Sequence, residues 1–198
     1  MSLLTKEQAL GFASFLYRQA GPPGRANLAE LRRAAANLGH DYRDYRILGD
    51  ELAASDQVAE AQRLTAGLFA LYAAKFWDAE SRLRLPRFGE GARRSLGASL
   101  RRLRFQLGTG QDSLDLRFGA LLDTPREDLA VPLRNLLQRL ATAEKPVPVD
   151  FAQLLLDLVY WEYDHPNRPS TRRTWARDYW QPTPESSELA APTSIAAE

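Results

Sequence analysis

Apolar residues recur along this chain at helical spacing, and no stretch sustains the apolar–polar alternation with β-branched residues that a strand requires. The pattern predicts an all-α protein. A first helix opens at Thr5-x-x-Gln8, a capping box in which each side chain satisfies the other's backbone amide. It is expected to run to Ala20, to bury Leu10, Ala13, Leu16 and Tyr17, and to stop at Gly21-Pro22-Pro23-Gly24. A second helix, Asn27 to Asn37, carries Leu28, Leu31 and Ala35 on one face and ends at Gly39. A short helix or turn holding Tyr42, Tyr45 and Leu48 follows. The longest helix is predicted from Ser55 to Trp77, with Val58, Ala61, Leu64, Thr65, Leu68, Leu71 and Tyr72 forming its core stripe.

The segment SRLRLPRFGEGA, residues 81–92, contains Pro86, Gly89 and Gly91 and reads as a connection between two helical lobes. The expected organisation is a lobe over 1–92, a second over 93–180, and a tail over 181–198. In the second lobe a helix over Ser95–Leu107 lines up Leu96, Leu100, Leu103 and Leu107 before Gly108-Thr109-Gly110 ends it. A helix over Ser113–Leu122 comes next, then a capping box at Thr124-Pro125-Arg126-Glu127 with proline at the first helical position. Pro132 is expected to interrupt or kink the chain ahead of Leu133, Leu136, Leu137 and Leu140. Lys145-Pro146-Val147-Pro148 separates these from a helix that starts at Asp150, has Gln153 three residues on, and ends near Trp161. After the loop His165–Pro169, a last helix over Thr171–Trp180 is expected to dock Trp175 and Tyr179 on the core. The tail QPTPESSELAAPTSIAAE has three prolines, three acids and no aromatic residue, a composition that predicts flexibility.

Charge changes this picture more than composition does. The chain has 198 residues and a formal charge of +1, but 23 of its 26 basic residues are arginine. Eight arginines and a single acid fall between Arg82 and Gln106, a local charge of +7 that leaves −6 for the rest. A GC-rich genome produces arginine in excess; it does not segregate charge. A basic block in a near-neutral protein points to a polyanion, although such runs also occur as simply solvated faces.

Little else in the sequence carries chemistry. The absence of cysteine excludes disulfides, thiolate metal sites and thiol nucleophiles. His40 and His165 have no second histidine at metal spacing, and Glu162, Asp164 and His165 sit at a helix end where such residues are expected on structural grounds. Phosphate-cradling GxxxxGK[ST], dinucleotide GxGxxG and nucleophile GxSxG motifs do not occur. No metal, cofactor or catalytic residue is therefore predicted. No apolar run approaches the roughly 18 residues that cross a bilayer, and the N-terminal residues lack the build of a secretory signal, so a cytoplasmic protein is expected.

The arginines suit binding. Guanidinium groups fork onto phosphate oxygens, stay charged, and stack on bases. Arg93 belongs to the basic block, and helical stepping groups Arg94, Arg101 and Arg102 around Phe105, opposite the leucine stripe, with Arg104 at its border. Phe105 reads either as a stacking ring or as a residue packed on a neighbouring helix or subunit. Arg173 and Arg177 stand one turn apart, with Trp180 on the same face. Like charges at that spacing call for an anion, either a phosphate or a carboxylate of the adjacent lobe.

The order of several motifs resembles the CasB family, the small subunit of the type I-E CRISPR surveillance complex Cascade. They are LAELRRAA (28–35), Ser95-Leu96-Gly97, SLDLRFGALL (113–122), EDLAVPLRNLLQRL (127–140), VPVDFAQLLLDLVYW (147–161) and RRTWARDYW (172–180). The resemblance implies a non-catalytic subunit, present as a pair of copies along the belly of the complex. Such a subunit contacts guide RNA and target DNA without sequence preference and stabilises the displaced strand of the R-loop. It further implies that Arg32 and Arg33, Arg117, Arg134, and Arg172 with Arg173 are the inherited basic positions. Two departures thin these contacts: Leu116 precedes Arg117, and Asn135 follows Arg134, where relatives tend to carry a second basic residue.

Two other classes compete. A sequence-specific DNA regulator needs a recognition helix with Asn, Gln and Ser beside Arg, whereas Ser95–Leu107 is nearly all Arg and Leu. A protein-only adaptor would use the same arginines on acidic partners, which charge alone does not exclude. A divalent-dependent nuclease lacks candidate ligands.

Overall fold

The structure is a computed structural model that describes residues 3–20, 24–36, 44–77, 83–163 and 169–181. The Gly21–Pro23 stop, Gly39, His40, Tyr42, Asp164, His165 and the tail from 182 onward lie outside the described residues. The all-α prediction holds: the β-type pairing among the described residues is an isolated antiparallel bridge between Trp77 and Leu83.

Helix α1 is Lys6–Gln19, and its capping box forms as predicted. The Gln8 amide donates to the Thr5 hydroxyl at 3.2 Å, and the Thr5 amide donates to the Gln8 side chain at 2.9 Å. Its buried face is Ala9, Phe12, Ala13 and Leu16 together with Phe15, while Leu10 and Tyr17 are exposed. The expected face is thus rotated by part of a turn. Apolar residues cover more than half of this helix's circumference, and the stripe of Ala9, Phe12, Ala13, Phe15 and Leu16 takes the contact with the core.

Helix α2 is Arg25–Ala36, and α3 is a single turn, Tyr45–Leu48, that runs into a 3-10 turn over Gly49–Glu51. Helix α4, Asp56–Ala73, ends four residues before the predicted Trp77. It is central: α2, α7 and α8 all pack against it. Residues 83–92 are free of helix, as expected of a connection. The Arg84 amide donates to the Phe76 carbonyl at 2.9 Å, and Leu83 and Leu85 lean on the core.

Helix α5, Leu96–Leu107, is capped by Ser95, which accepts from the Ala98 amide at 3.2 Å, and stops at Gly108, whose φ of 52° is left-handed. Helix α6 is Gln111–Asp123. The capping box expected at Thr124 does not form. The Thr124 hydroxyl instead donates back to the Ala120 carbonyl at 2.8 Å, and its own carbonyl accepts from the Trp161 indole at 3.0 Å. Residues 126–128 make a 3-10 turn, and α7 begins only at Ala130. Pro132 therefore lies in the first turn of α7, where a missing amide costs nothing, and kinks no helix. Leu133, Leu136, Leu137 and Leu140 are buried as predicted.

Helix α8, Phe151–Val159, is capped by Asp150, which accepts from the Gln153 amide at 3.0 Å. Every residue of it except Gln153 is buried, which fits its place between α1 and α4. Its one buried charge, Asp157, accepts from the Gln153 side chain at 2.8 Å and from the Trp175 indole at 2.6 Å. Helix α9, Thr171–Trp180, buries Trp175 and Tyr179 as expected. Helices on both sides of residues 83–92 contribute to one buried cluster that extends from Leu4 to Tyr179.

Candidate nucleic-acid interface

The contact between α5 and α9 sets the geometry of the basic surface. Gly97 allows it. A Cβ built at that position would lie 2.1 Å from the Trp175 carbonyl oxygen, so only glycine permits this approach. Trp175 fills the space behind it, tilted on Trp161 with ring centroids 5.0 Å apart.

At this joint Asp178 is the electrostatic hub. Its side chain is nearly buried, and Ser95 donates to it at 2.6 Å. Arg93 forms a close ion pair with the same carboxylate, and Arg177 reaches it at 3.4 Å. Arg102 donates through both Nη atoms to the Arg93 carbonyl at 3.4–3.5 Å, and Arg94 pairs with the α8 cap, Asp150, at 3.5 Å. Arg94 and Arg102 also share one aromatic surface, Phe88, at 5.8 and 5.2 Å from its centroid. Arg101 lies 5.9 Å from the centroid of the exposed Phe105 ring and donates to the Gln181 carbonyl at 3.4 Å. Burial, and then the neighbouring Arg101 charge, lower the Arg102 pKa from its ordinary value. Four arginines of the basic block, Arg93, Arg94, Arg101 and Arg102, thus meet Arg177 of α9 on one surface with two carboxylates among them.

Other predicted positions stand apart from this group. Arg104, at the predicted border, is consumed by a fork–fork pair with Asp115 at 2.8 and 3.0 Å; Tyr179 donates to the same carboxylate at 2.5 Å. That environment holds the Asp115 carboxyl below its usual range, the Arg104 hydrogen bond being the main cause. Arg172 is built into the α6–α9 corner. It lies 5.1 Å from the Trp161 centroid, donates to the Thr124 carbonyl at 3.2 Å, and approaches Glu162 at 3.9 Å. Arg173 is exposed, one turn before Arg177 on the same face of α9. Arg117 is exposed on α6 and reaches Ser113 at 3.5 Å, and Arg134 is partly exposed on α7. Arg32 and Arg33 are exposed on α2, which packs on α4. No hydrogen bond or ion pair among the described residues ties Arg32, Arg33, Arg117 or Arg134 to the α5–α9 group.

Sequence reasoning missed Phe88, Asp178 and Asp150 as parts of this surface. Asp178 carried a signal, since it is the single acid in a helix with three arginines. Glu162 accepts from the Arg126 amide at 3.1 Å, and no cluster of three or more potential metal ligands occurs among the described residues. No helix among the described residues is long and apolar enough to cross a membrane.

A profile of the CRISPR-associated protein Cse2 family matches residues 27–180. The chain belongs to the Cse2 family. Solved structures agree with the assignment. The crystal structure of CasB from Thermus thermophilus is similar at 27% identity and a TM-score of 0.63, over 87% of this chain and 97% of that one. M. ruber CasB is similar at 25% identity and a TM-score of 0.67, over 93% and 98%. A chain of a CRISPR RNA-guided surveillance complex has the same fold at 21% identity and a TM-score of 0.66, over 88% and 92%. Proteins of curated function return no match. The Cse2 match spans α2 through α9, and so includes every arginine of the α5–α9 surface.

Proposed function

We propose that this Cse2-family chain is the small subunit of a Cascade-type, RNA-guided surveillance complex, and that its α5–α9 surface holds single-stranded nucleic acid through arginine–phosphate contacts. The observation that carries the reading is the convergence of five arginines around two carboxylates among the described residues. The likeness to a chain of a solved surveillance complex supports the assembly, in which other Cascade subunits and a second copy of this chain are the partners. Work in the cytoplasm, on guide RNA and R-loop DNA, follows from that role.

The mechanism is electrostatic and requires no bond to be made or broken. A guide–target heteroduplex is about as stable as the DNA duplex it replaces, so the displaced strand competes to re-anneal. Arginines that hold this strand by its phosphates release counterions and shift the balance toward the open state. They read charge and not bases. Arg173 extends the surface along α9, and Arg32, Arg33, Arg117, Arg134 and Arg172 supply contacts elsewhere when copies align in the complex.

Fluorescence anisotropy with single-stranded DNA across a salt series tests the reading. The logarithm of the affinity is expected to fall linearly with the logarithm of salt, with a slope of about −0.7 per phosphate contact. Replacing Arg101 and Arg102 by Ala should reduce the slope by about 1.4, independently of oligonucleotide sequence. Affinity that is insensitive to salt, or a double variant identical to wild type, would sink the proposal.

A further inference from the structure

Two large rings stand in solvent at this surface: Phe105 is 51% exposed and Trp180 is 49% exposed. Trp180 packs edge-on against Tyr179 at 4.9 Å and is tilted against the buried Phe118 at 5.3 Å. Phe105 shares a helix face with Arg101, whose guanidinium lies over its ring. The same guanidinium donates to the carbonyl of Gln181, the residue directly after Trp180. One arginine therefore connects the Phe105 ring to the end of α9 that carries Trp180, with Arg177 and Arg173 continuing down the face of that helix.

From this juxtaposition we infer that Phe105 and Trp180 are stacking platforms for the bases of a single-stranded nucleic acid whose phosphates the neighbouring arginines hold. The inference rests on the proposed function and adds a second, uncharged contribution to it. Bases of a single strand expose π faces that a duplex conceals, and an aromatic ring offered beside a guanidinium matches a base beside its phosphate. The surrounding charge favours this occupant over an apolar protein face. A protein contact that buried these rings would also enclose Arg101 and Arg102, which reach backbone carbonyls, and Arg177, which shares Asp178 with Arg93. Stacking is also tolerant of sequence, as the surface requires. The packed Trp180 ring is already positioned, so little side-chain freedom is lost there on binding.

The test compares a thymidine oligonucleotide with an abasic strand of equal length and charge, using the full chain at low salt. Wild type should bind the thymidine strand about 10-fold or more tightly than the abasic strand, with the same salt slope for both. Phe105→Leu and Trp180→Leu should each weaken thymidine binding by about 5- to 100-fold while leaving abasic binding and the slope unchanged. Trp180→Phe keeps a ring and should restore most of the affinity. Both positions are half exposed, so the variants should stay folded at the assay temperature even where Trp180→Leu lowers the midpoint, and circular dichroism verifies that they do. Equal binding of the two strands with a steep slope overturns the stacking inference and leaves the arginine mechanism standing. Binding of neither strand overturns both. Leucine variants that bind both strands like wild type but lose self-association assign the rings to a protein contact and also overturn the inference.

Discussion

Replacing Gly97 by Ala tests how tightly the α5–α9 joint governs the molecule. The added Cβ would lie 2.1 Å from the Trp175 carbonyl oxygen and 2.8 Å from its Cα, where ordinary contact begins near 3.4 Å. The obstruction is helix backbone, which has no rotamer to give, so α9 must withdraw by about 1 Å. That displacement pulls on the 2.6 Å bond from Ser95 to Asp178 and on the 2.6 Å bond from the Trp175 indole to Asp157, both of them buried. Overpacking costs about 1–3 kcal/mol, and a buried polar group left unpaired costs a similar amount, giving about 2–6 kcal/mol in all. For a chain of this length each kcal/mol moves the midpoint by about 2–4 °C, so thermal denaturation followed by circular dichroism should show a fall of about 4–24 °C. Gly11 and Gly119 are the internal controls. They lie inside helices with nothing near the added carbon, so alanine there should stabilise by about 0.5–1 kcal/mol through helix propensity alone. A Gly97→Ala protein that melts within about 2 °C of wild type would refute the close approach and with it the geometry of the basic surface.

Removing the hub with Asp178→Ala should lower stability by about 2–4 kcal/mol, because the buried Ser95 hydroxyl loses its acceptor, yet raise single-strand affinity and steepen the salt slope as Arg93 and Arg177 are released. Anisotropy well below the melting point checks this, and weaker binding with a shallower slope would show that Asp178 orients the arginines for phosphate. Arg172→Ala should cost about 1–2 kcal/mol in a urea melt through lost contact with Trp161 and Thr124, whereas Arg173→Ala should leave the midpoint unchanged and lower only affinity. Asp115 is held below its ordinary value of 3.8, so its contribution is complete above that pH and is lost as pH falls through the depressed value. The stability gap between wild type and Asp115→Asn, measured by urea titration, should therefore close in acid. At the alkaline end Tyr72 and Tyr179, both pushed up chiefly by burial, should cost stability only as pH rises above about 10.

Much of the fold was legible because local chemistry and tertiary packing agree. Thr5 with Gln8 and Asp150 with Gln153 cap helices where expected, and the leucines of α5 and α7 face the core at their helical spacing. Where the reading failed, two local solutions were nearly equivalent and distant contacts chose between them. On α1, Leu10 and Tyr17 compete with Phe12 and Phe15 for burial beside Ala13 and Leu16, and periodicity has no means of ranking two overlapping stripes. At Thr124 the capping pattern is sound, but Trp161 and Arg172 both donate to its carbonyl, and the next helix starts later. The site divides in the same way. The excess of arginine over residues 82–106 is local and visible, whereas the carboxylates that answer it come from α9 and the α8 cap, more than 50 residues away.

That division bears on how the surface works. Among the described residues five guanidinium groups face two carboxylates, so most of the charge at the joint has no carboxylate partner there. Full neutralisation would bury the interface in its own ion pairs, and the strand would have nothing to gain by binding. With no internal acids the repulsion would push α5 from α9, against a contact so close that Gly97 has no room for a methyl group. Asp178 resolves the conflict by position: it is buried, bonded to the Ser95 hydroxyl, and aimed at the half-exposed Arg93 and Arg177 from the core side. Their solvent sides stay free. A phosphate can then approach from outside without displacing the carboxylate, and the ion pair that stabilises the fold attenuates the charge of these guanidinium groups without closing them to a ligand. On this argument the residues that fold the α5–α9 joint and those that present its charge belong to one network, and folding and single-strand affinity are coupled through Asp178.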